Sequence, residues 1–470
     1  MSGAPPNEDI AIVGMACRFA GAADLRAFWQ NVLSGVCAIG DPPDPEAVRF
    51  CDADASCFER VPTLRGGYLR DLWRFDPGAH GLSAEALRGA DPAHFLALDL
   101  AAQALKDAGY ADRPFPRDQT SILIGHTPGP DPALVGWVQR GLVVDQTVDL
   151  VRRLFPRGTP EQFARLRDGL RAAVPDYDSR NVPSLVPATL TARIASRFDL
   201  HGTQSLVDAT CASSLVALGA AAQELRSGVA DVVLAGGIQG VLSPQRLMPF
   251  GRLGFLSLHE APHPFSRDAD GTLFGEGGAI LVLKRRADAA RDGDRVYALL
   301  KAVAAASDGH ARSPFAPREA TYQLAVSRAC TRAGVAPRSL ALVEAHGTGI
   351  PAWDRMEAAA LSAVFGPRQS HWPVTAVGSV KSMIGHCGAA AGAAGLVKAA
   401  LSLYHRIVPP TLFAERPLPL WRAPESPFYL PDAARPWVQP GDRPRRAGVG
   451  AVGFGGIHAH AVLEEHPEAP

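Results

Sequence analysis

The sequence predicts an α/β protein with buried sheets, and three observations carry that prediction. Short, wholly apolar runs such as IAIVGMA (10–16), SILIG (121–125) and GAILVLKR (278–285) read as strands covered on both faces. Longer segments with helical spacing alternate with them, and several stop at a glycine. The chain has 470 residues, 47% hydrophobic and 20% charged, which allows a large core built in two halves.

The elements follow in order. IAIVGMA is a strand, and LRAFWQNVLSG after it has helical spacing and stops at Gly35. PAHFLALDLAAQALKDAGY (92–110) is a long helix with its end expected at Gly109, and SILIG is the next strand. Residues 126–183 are rich in Pro, Arg and Asp, with helical patches such as EQFARLRDGLRAAV. They read as an excursion that covers an entrance or meets another protomer. LTARIASRFDL is a helix, QSLVDA a strand, SSLVALGAAAQELRSG a helix, and DVVLAGG and GAILVLKR strands.

The second half repeats the style. RVYALLKAVAAAS is a strand or two, EATYQLAVSRACTRAG a helix, and LALVEAHGTG a strand running into a glycine loop. VTAVGSV is a strand, KSMIGHCGAAAGAAGLVKAALSLY a loop and a helix, and AGVGAVGFGGIHAHAVLEE two strands around a glycine turn. The Pro-rich segment 423–444 is expected to be irregular surface. A charged stretch near Arg286–Gly293 marks the boundary, giving halves 1–286 and 287–470. A duplication is suggested by style alone, because no clear internal sequence repeat is present.

Lys+Arg and Asp+Glu are both 47, so no broad basic field exists to attract nucleic acid or an anionic membrane. Arg443, Arg445 and Arg446 form a local cluster that reads as a solvated loop, or as a contact for an acidic carrier protein. Seven cysteines with no CxxC pair argue against a disulfide framework or a zinc site and for a reducing cytosol. The N-terminus lacks a signal-peptide pattern. The small-residue run around Lys398 reads as a buried helix and not a membrane span.

VDATCASSLVAL (207–218) places Cys211 between a strand and a helix, among small residues. Packing is one reading, since buried cysteine is a common small core residue. The other is a nucleophile at a strand-turn-helix elbow, where the positive helix N-terminus is expected to lower the thiol pKa. Two histidines favour the second. His346 lies in the glycine loop of EAHGTG, and His386 lies in KSMIGHCGAAAG, five residues after Lys381. The GFGG loop (453–456) supplies backbone N–H groups suited to an oxyanion hole. One cysteine and two imidazoles suit a thioester intermediate and stabilisation of an enolate, the needs of a decarboxylating carbon–carbon condensation. A cysteine protease would want an orienting Asn or Asp instead.

At these residues the chain resembles a β-ketoacyl synthase of the thiolase superfamily. The resemblance runs through IAIVGMACRF, GGYL, DATCASSL, PFSRDADGTLFGEGGAILVL, EAHGTG, VGSVKSMIGHCGAAAG and GFGGIHAHAVLEE. ADPAHFLALDLAAQALKDAGY, SDGHARSPFAPREA and the long 126–183 segment are similar to ketosynthases of polyunsaturated-fatty-acid and iterative polyketide synthases. The resemblance implies a five-layered α-β-α-β-α fold and a homodimer. It implies that Cys211 carries the acyl group, that His346 and His386 drive decarboxylation, and that Lys381 orders the second histidine loop. It makes Phe454 a gating residue whose N–H joins that of Cys211 in the oxyanion hole. Thr348 matches a threonine that holds the phosphopantetheine arm, with Ile350, Gly455 and Gly456 on the same substrate side. It implies no metal and no cofactor of the protein's own, the pantetheine arm belonging to an acyl carrier protein that brings acyl and malonyl-type thioesters.

Several positions depart from the pattern. Ile350 stands for a second threonine, Trp353 for glycine, Arg355 for proline and Met383 for asparagine; Ile457 and His458 end the GFGG motif in place of Thr-Asn; Gly388 follows the second histidine loop where a polar residue is common. Asp354 and Glu357 are kept. His458 reads as a third imidazole near the centre or as a core histidine. The expectation is a cytoplasmic condensing enzyme, free-standing or part of a larger synthase. The alternatives are a non-elongating relative that only loads and passes on the acyl chain, and a non-catalytic partner of a heterodimer.

Overall fold

The computed structural model describes residues 8–52, 59–310, 313, 315–369, 374–439 and 443–467. Its strands are β1 (Ile10–Phe19), β2 (Thr120–Gly125), β3 (Gln204–Val207), β4 (Val232–Gln239), β5 (Gly277–Arg285), β6 (Ala298–Ser307), β7 (Leu342–Glu344), β8 (Thr375–Gly378), β9 (Ile407–Val408), β10 (Phe428–Tyr429), β11 (Arg435–Pro436), β12 (Arg446–Gly453) and β13 (Ile457–Glu464). Eleven of them form one ladder in the order β10-β8-β7-β12-β13-β6-β1-β5-β4-β2-β3, and β11 pairs with β9 apart from it.

Side-chain alternation along the strands builds the layers. Val232 and Leu234 of β4 face the helices Pro92–Asp107 and Thr189–Phe198. Val233 and Ala235 face the opposite way, onto the helices Ser213–Ser227 and Ala391–His405. Those two central helices also receive Val449, Ala451, Ala459 and Ala461 from the second half. Val452 and Val462 point outward to the helices Glu319–Ala333 and Pro351–Phe365. The result is the five-layered α-β-α-β-α arrangement. Strands sandwiched in this way are apolar on both faces, which is why they read as unbroken hydrophobic runs.

Some details differ from the sequence reading. The halves share a ladder, because β1 pairs with β5 from Ile10 to Phe19 and Ile10–Ile12 also pair on their other edge with Ala298–Leu300 of β6. RVYALLKAVAAAS yields the single strand β6. The helix Pro351–Phe365 was not anticipated, nor was Pro244–Arg252, which contains Pro249. The Pro-rich segment contributes β10 and β11. The excursion holds the helices Pro132–Val138, Val144–Leu154 and Pro160–Ala172, with Leu154 and Phe155 exposed by 65% and 64%. Among the described residues, no helix is long and apolar enough to cross a membrane.

Candidate active site

The parallel strands β2, β3 and β4 end on the same side of the sheet, where the elbow forms. After β3 the backbone turns sharply at Thr210, whose φ of 51° lies in the left-handed region. That conformation costs a non-glycine residue about 1–3 kcal/mol. Local hydrogen bonds hold it: Thr210 N donates to Asp208 Oδ1 at 2.9 Å, and Ser213 Oγ donates to Thr210 O at 2.6 Å. Ala209 N in turn donates to Ser213 Oγ at 2.8 Å. The turn Thr210–Ala212 then delivers Cys211 to the start of the helix Ser213–Ser227.

The GFGG loop is tied to this elbow. Thr210 Oγ1 donates to Phe454 O at 3.2 Å. The Cα of Gly453 lies so close that a Cβ there would sit 2.4 Å from Ala209 O. Any side chain at 453 would push the two segments apart.

His346 and His386 meet with ring centroids 5.3 Å apart, edge to face. They come from loops after β7 and β8, each fixed through its main chain. Glu357, on the unanticipated helix, accepts from His346 N and Gly347 N, both at 2.8 Å. Asp354 accepts from Thr348 N at 3.0 Å, from Gly349 N, and from Phe265 N at 2.7 Å. The second loop is clamped by the FGEGG stretch: His386 N donates to Leu273 O at 2.7 Å and Gly275 N to His386 O at 3.1 Å. Phe274 stacks on the His386 ring at 5.4 Å and 9°. Glycine is required beneath this loop, since a Cβ on Gly67 or Gly275 would lie 1.9 or 2.2 Å from Ile384 O.

Burial sets the electrostatics. The Cys211 thiol is pushed up to about 12 by desolvation, against the pull of the nearby Lys381 ammonium. The expected lowering by the helix N-terminus is therefore outweighed in the resting site. Burial also holds both histidines well below the usual imidazole range, with the Lys381 charge adding to the effect. Both are neutral at pH 7. Lys381 itself is lowered by burial and supported by Glu344 and Glu357. Neither ring nitrogen of His346 has a hydrogen-bond partner, nor has Nδ1 of His386. Unpaired buried polar atoms are rare and costly, and here they belong to two rings that meet edge to face.

An aromatic group gathers around Phe454. Trp353 lies 5.0 Å from Phe454 and 5.8 Å from His346, ring centre to ring centre. Phe255 stacks on Phe454 at 5.7 Å, and Trp353 Nε1 donates to Phe315 O at 3.2 Å. Phe454 is half-buried and Gly455 exposed, whereas Gly456 is buried against Asp308. Thr348 and Ile350 are both buried. The Thr348 hydroxyl is engaged within its own loop, accepting from Ile350 N at 3.1 Å and donating to Asp354 at 3.3 Å.

His458 lies on β13 with Nε2 3.0 Å from Asp308 Oδ1. The carboxylate accepts, which places the ring proton on Nε2. Burial lowers the His458 pKa, and its charge would bear on His346. It is thus both a core histidine and a neighbour of the centre. Glu344 and Asp308 carry no signal in the sequence; Asp354 and Glu357 stand out there only as kept positions, at i, i+3 spacing just after the histidine loop, with no role attached. Arg445 and Arg446 pair with Glu465 and Glu464. Cys17, Cys37, Cys51, Cys211, Cys330 and Cys387 are free thiols, and Cys57 lies outside the described residues. Among the described residues, no group of three or more His, Cys, Asp or Glu side chains is placed to hold a metal.

Residues 7–289 match the family model for the N-terminal domain of β-ketoacyl synthase, and residues 297–415 match that for its C-terminal domain. The chain is 32% identical over 97% of its length to a component of the polyunsaturated fatty acid synthase of Thraustochytrium, covering 16% of that protein. It is 35% identical over 99% of its length to a spectinabilin polyketide synthase system protein of Streptomyces orinoci, covering 12% of it. Among solved structures, an oxazolomycin ketosynthase domain from Streptomyces albus superposes with a TM-score of 0.81 at 30% identity, over 98% of this chain and 75% of that one. The ketosynthase from module 6 of the Bacillus subtilis bacillaene synthase gives 0.79 at 29% identity, over 98% and 72%. The chain thus spans a small part of the curated relatives and most of the solved domains.

Proposed function

The chain belongs to the β-ketoacyl synthase family, a family of condensing acyltransferases, and on that footing we propose how its residues divide the work. Cys211 Sγ attacks an acyl thioester; the carrier thiol leaves with the proton, and an acyl-Cys211 thioester remains. A malonyl-type thioester then enters. Its carboxylate departs as carbon dioxide, and the electron pair moves onto the thioester oxygen as an enolate. His346 and His386, neutral and holding ring N–H groups, donate to that oxygen. The enolate carbon attacks the acyl carbonyl, the new C–C bond forms, and the Cys211 thiolate is released. The N–H groups of Cys211 and Phe454 serve as the oxyanion hole. Lys381 holds the second loop and favours negative charge near it. The single observation that carries this reading is the pair of buried, neutral imidazoles that meet edge to face with three of their ring nitrogens unpartnered.

The substrates are acyl and malonyl-type groups on the phosphopantetheine arm of an acyl carrier protein, approaching past Thr348, Ile350, Gly455 and Gly456. The synthase binds no cofactor of its own. Residues 1–286 supply the nucleophile half and 287–470 the histidine half. We place the protein in the cytoplasm, within or beside a larger synthase. It forms a homodimer, with β3 as the contact: β3 ends the ladder, and an unpaired strand edge invites pairing with another chain. A loading-only activity is the second reading, favoured by Trp353 filling the approach beside Phe454.

Intact-mass spectrometry of the protein with a short acyl-carrier thioester and malonyl-carrier protein separates the two. A β-ketoacyl-carrier product two carbons longer is expected. Acylated protein without that product would establish the loading-only reading. The arm's contact with Ile350 has its own test. Ile350→Thr restores a hydroxyl, so the KM for malonyl-carrier should fall about threefold to tenfold at unchanged kcat. An unchanged KM would remove Ile350 from the substrate path.

A further inference from the structure

A second cleft, of about 950 Å³, lies away from the catalytic centre, between the loop at Gly78–Leu82 and the helix Thr189–Phe198. Leu98 and Leu82 supply apolar lining, and Arg180, Arg193 and Arg197 supply three guanidinium groups. Among the described residues, no aspartate or glutamate lines it.

Arg193 is the unusual member. Its guanidinium lies over the Phe95 ring at 5.3 Å. Nε and Nη2 are both buried and have no hydrogen-bond partner. These two nitrogens share one edge of the guanidinium, the fork that meets two oxygens of an oxyanion side by side. Burial alone lowers the group's pKa, with no carboxylate to offset the cost. His80, also in the lining, has an unpartnered buried Nδ1, while its Nε2 turns away to Asp99 at 3.5 Å. Arg197 is exposed at the rim and donates to Ala79 O at 3.2 Å. Arg180 is tied to Asp178, so Arg193 and Arg197 are the cations of this lining that no carboxylate holds among the described residues.

We propose that this cleft binds a small phosphorylated metabolite, its phosphate gripped by Arg193 and Arg197 and its carbon skeleton lying on Leu82 and Leu98. Two guanidinium groups with no carboxylate beside them suit a dianion better than a monoanion. The inference is independent of the condensation chemistry.

Isothermal titration of the whole chain with glycerol 3-phosphate, inorganic phosphate and glutarate tests it. Saturable binding of glycerol 3-phosphate is expected, with inorganic phosphate weaker and glutarate weaker still. Arg193→Gln should weaken glycerol 3-phosphate at least about tenfold, the loss of a charge-assisted bidentate contact. Arg197→Gln, at an exposed site, should weaken it severalfold and decides the matter if Arg193→Gln fails to fold. Absence of saturable binding, or unchanged affinity in Arg197→Gln, overturns the site. Inorganic phosphate binding as tightly as the ester overturns the metabolite, and glutarate binding as tightly overturns the phosphate.

Discussion

Cys211→Ala should abolish condensation, lowering kcat/KM for product formation by at least about 10⁴-fold, because a covalent nucleophile acts as one unit with its partners. Intact-mass spectra of the variant should show no acyl adduct. Carbon dioxide release from malonyl thioester should persist, since both imidazoles remain in place. Residual acylation would have to come from another thiol; Cys387 follows His386 directly in the chain, and it too is buried and pushed up to about 12. An adduct on Cys387 would overturn the assignment of Cys211. The wild-type thiol makes a further statement about pH. With its pKa raised to about 12, its thiolate fraction climbs with pH across the neutral range. Alkylation by iodoacetamide should therefore accelerate about tenfold per pH unit from pH 7 to 9, without a plateau. A plateau near pH 7 would mean that an imidazolium–thiolate pair already exists at rest, which the two depressed histidines argue against.

The largest effect on stability should come from Lys398→Met. Lys398 Nζ donates to Glu344 Oε2 at 2.7 Å, and both side chains are almost fully buried. The other oxygen of Glu344 accepts from Val380 N at 2.6 Å, at the turn that leads into Lys381. Removing the ammonium leaves a carboxylate buried without its partner, which costs about 3–5 kcal/mol. The double variant Glu344→Gln, Lys398→Met should recover most of that loss, because neutral groups of similar size replace both charges. Urea unfolding of the two singles and the double gives the coupling. Singles within about 1 kcal/mol of wild type would show the pair to be dispensable.

This pair also marks where sequence reading stops. Lys398 is visible in the sequence only as an interruption in a small-residue helix, and Glu344 only as the first letter of EAHGTG. Their contact joins a strand end to a helix 54 positions on, and nothing local announces it. The central strands are legible because helices cover both faces and leave no polar position. The helix Pro351–Phe365 is not, because its inward face carries Trp353, Asp354 and Glu357, which breaks the apolar period that signals a helix. The cysteine and the two histidines can be picked out by residue type and by their glycine-flanked loops. The sign of the thiol shift cannot: a helix N-terminus is apparent in sequence, whereas complete desolvation depends on packing from distant segments. His458 shows the same limit, its partner Asp308 lying across the sheet at the neighbouring strand's end.

The peptide backbone packed against Ile384 O has a bearing on how such a protein can diverge. Residues 67 and 275 have no room for even a methyl group, so the loop carrying His386 rests on main chain against main chain. The backbone that carries the imidazole is thus held by main chain, and a change at either glycine would shift it. The aromatic group of Trp353, Phe255 and Phe454 is built from side-chain contacts and can be rebuilt one residue at a time. A lineage descending from this scaffold can exchange its cargo by small steps while the reacting atoms stay where they are.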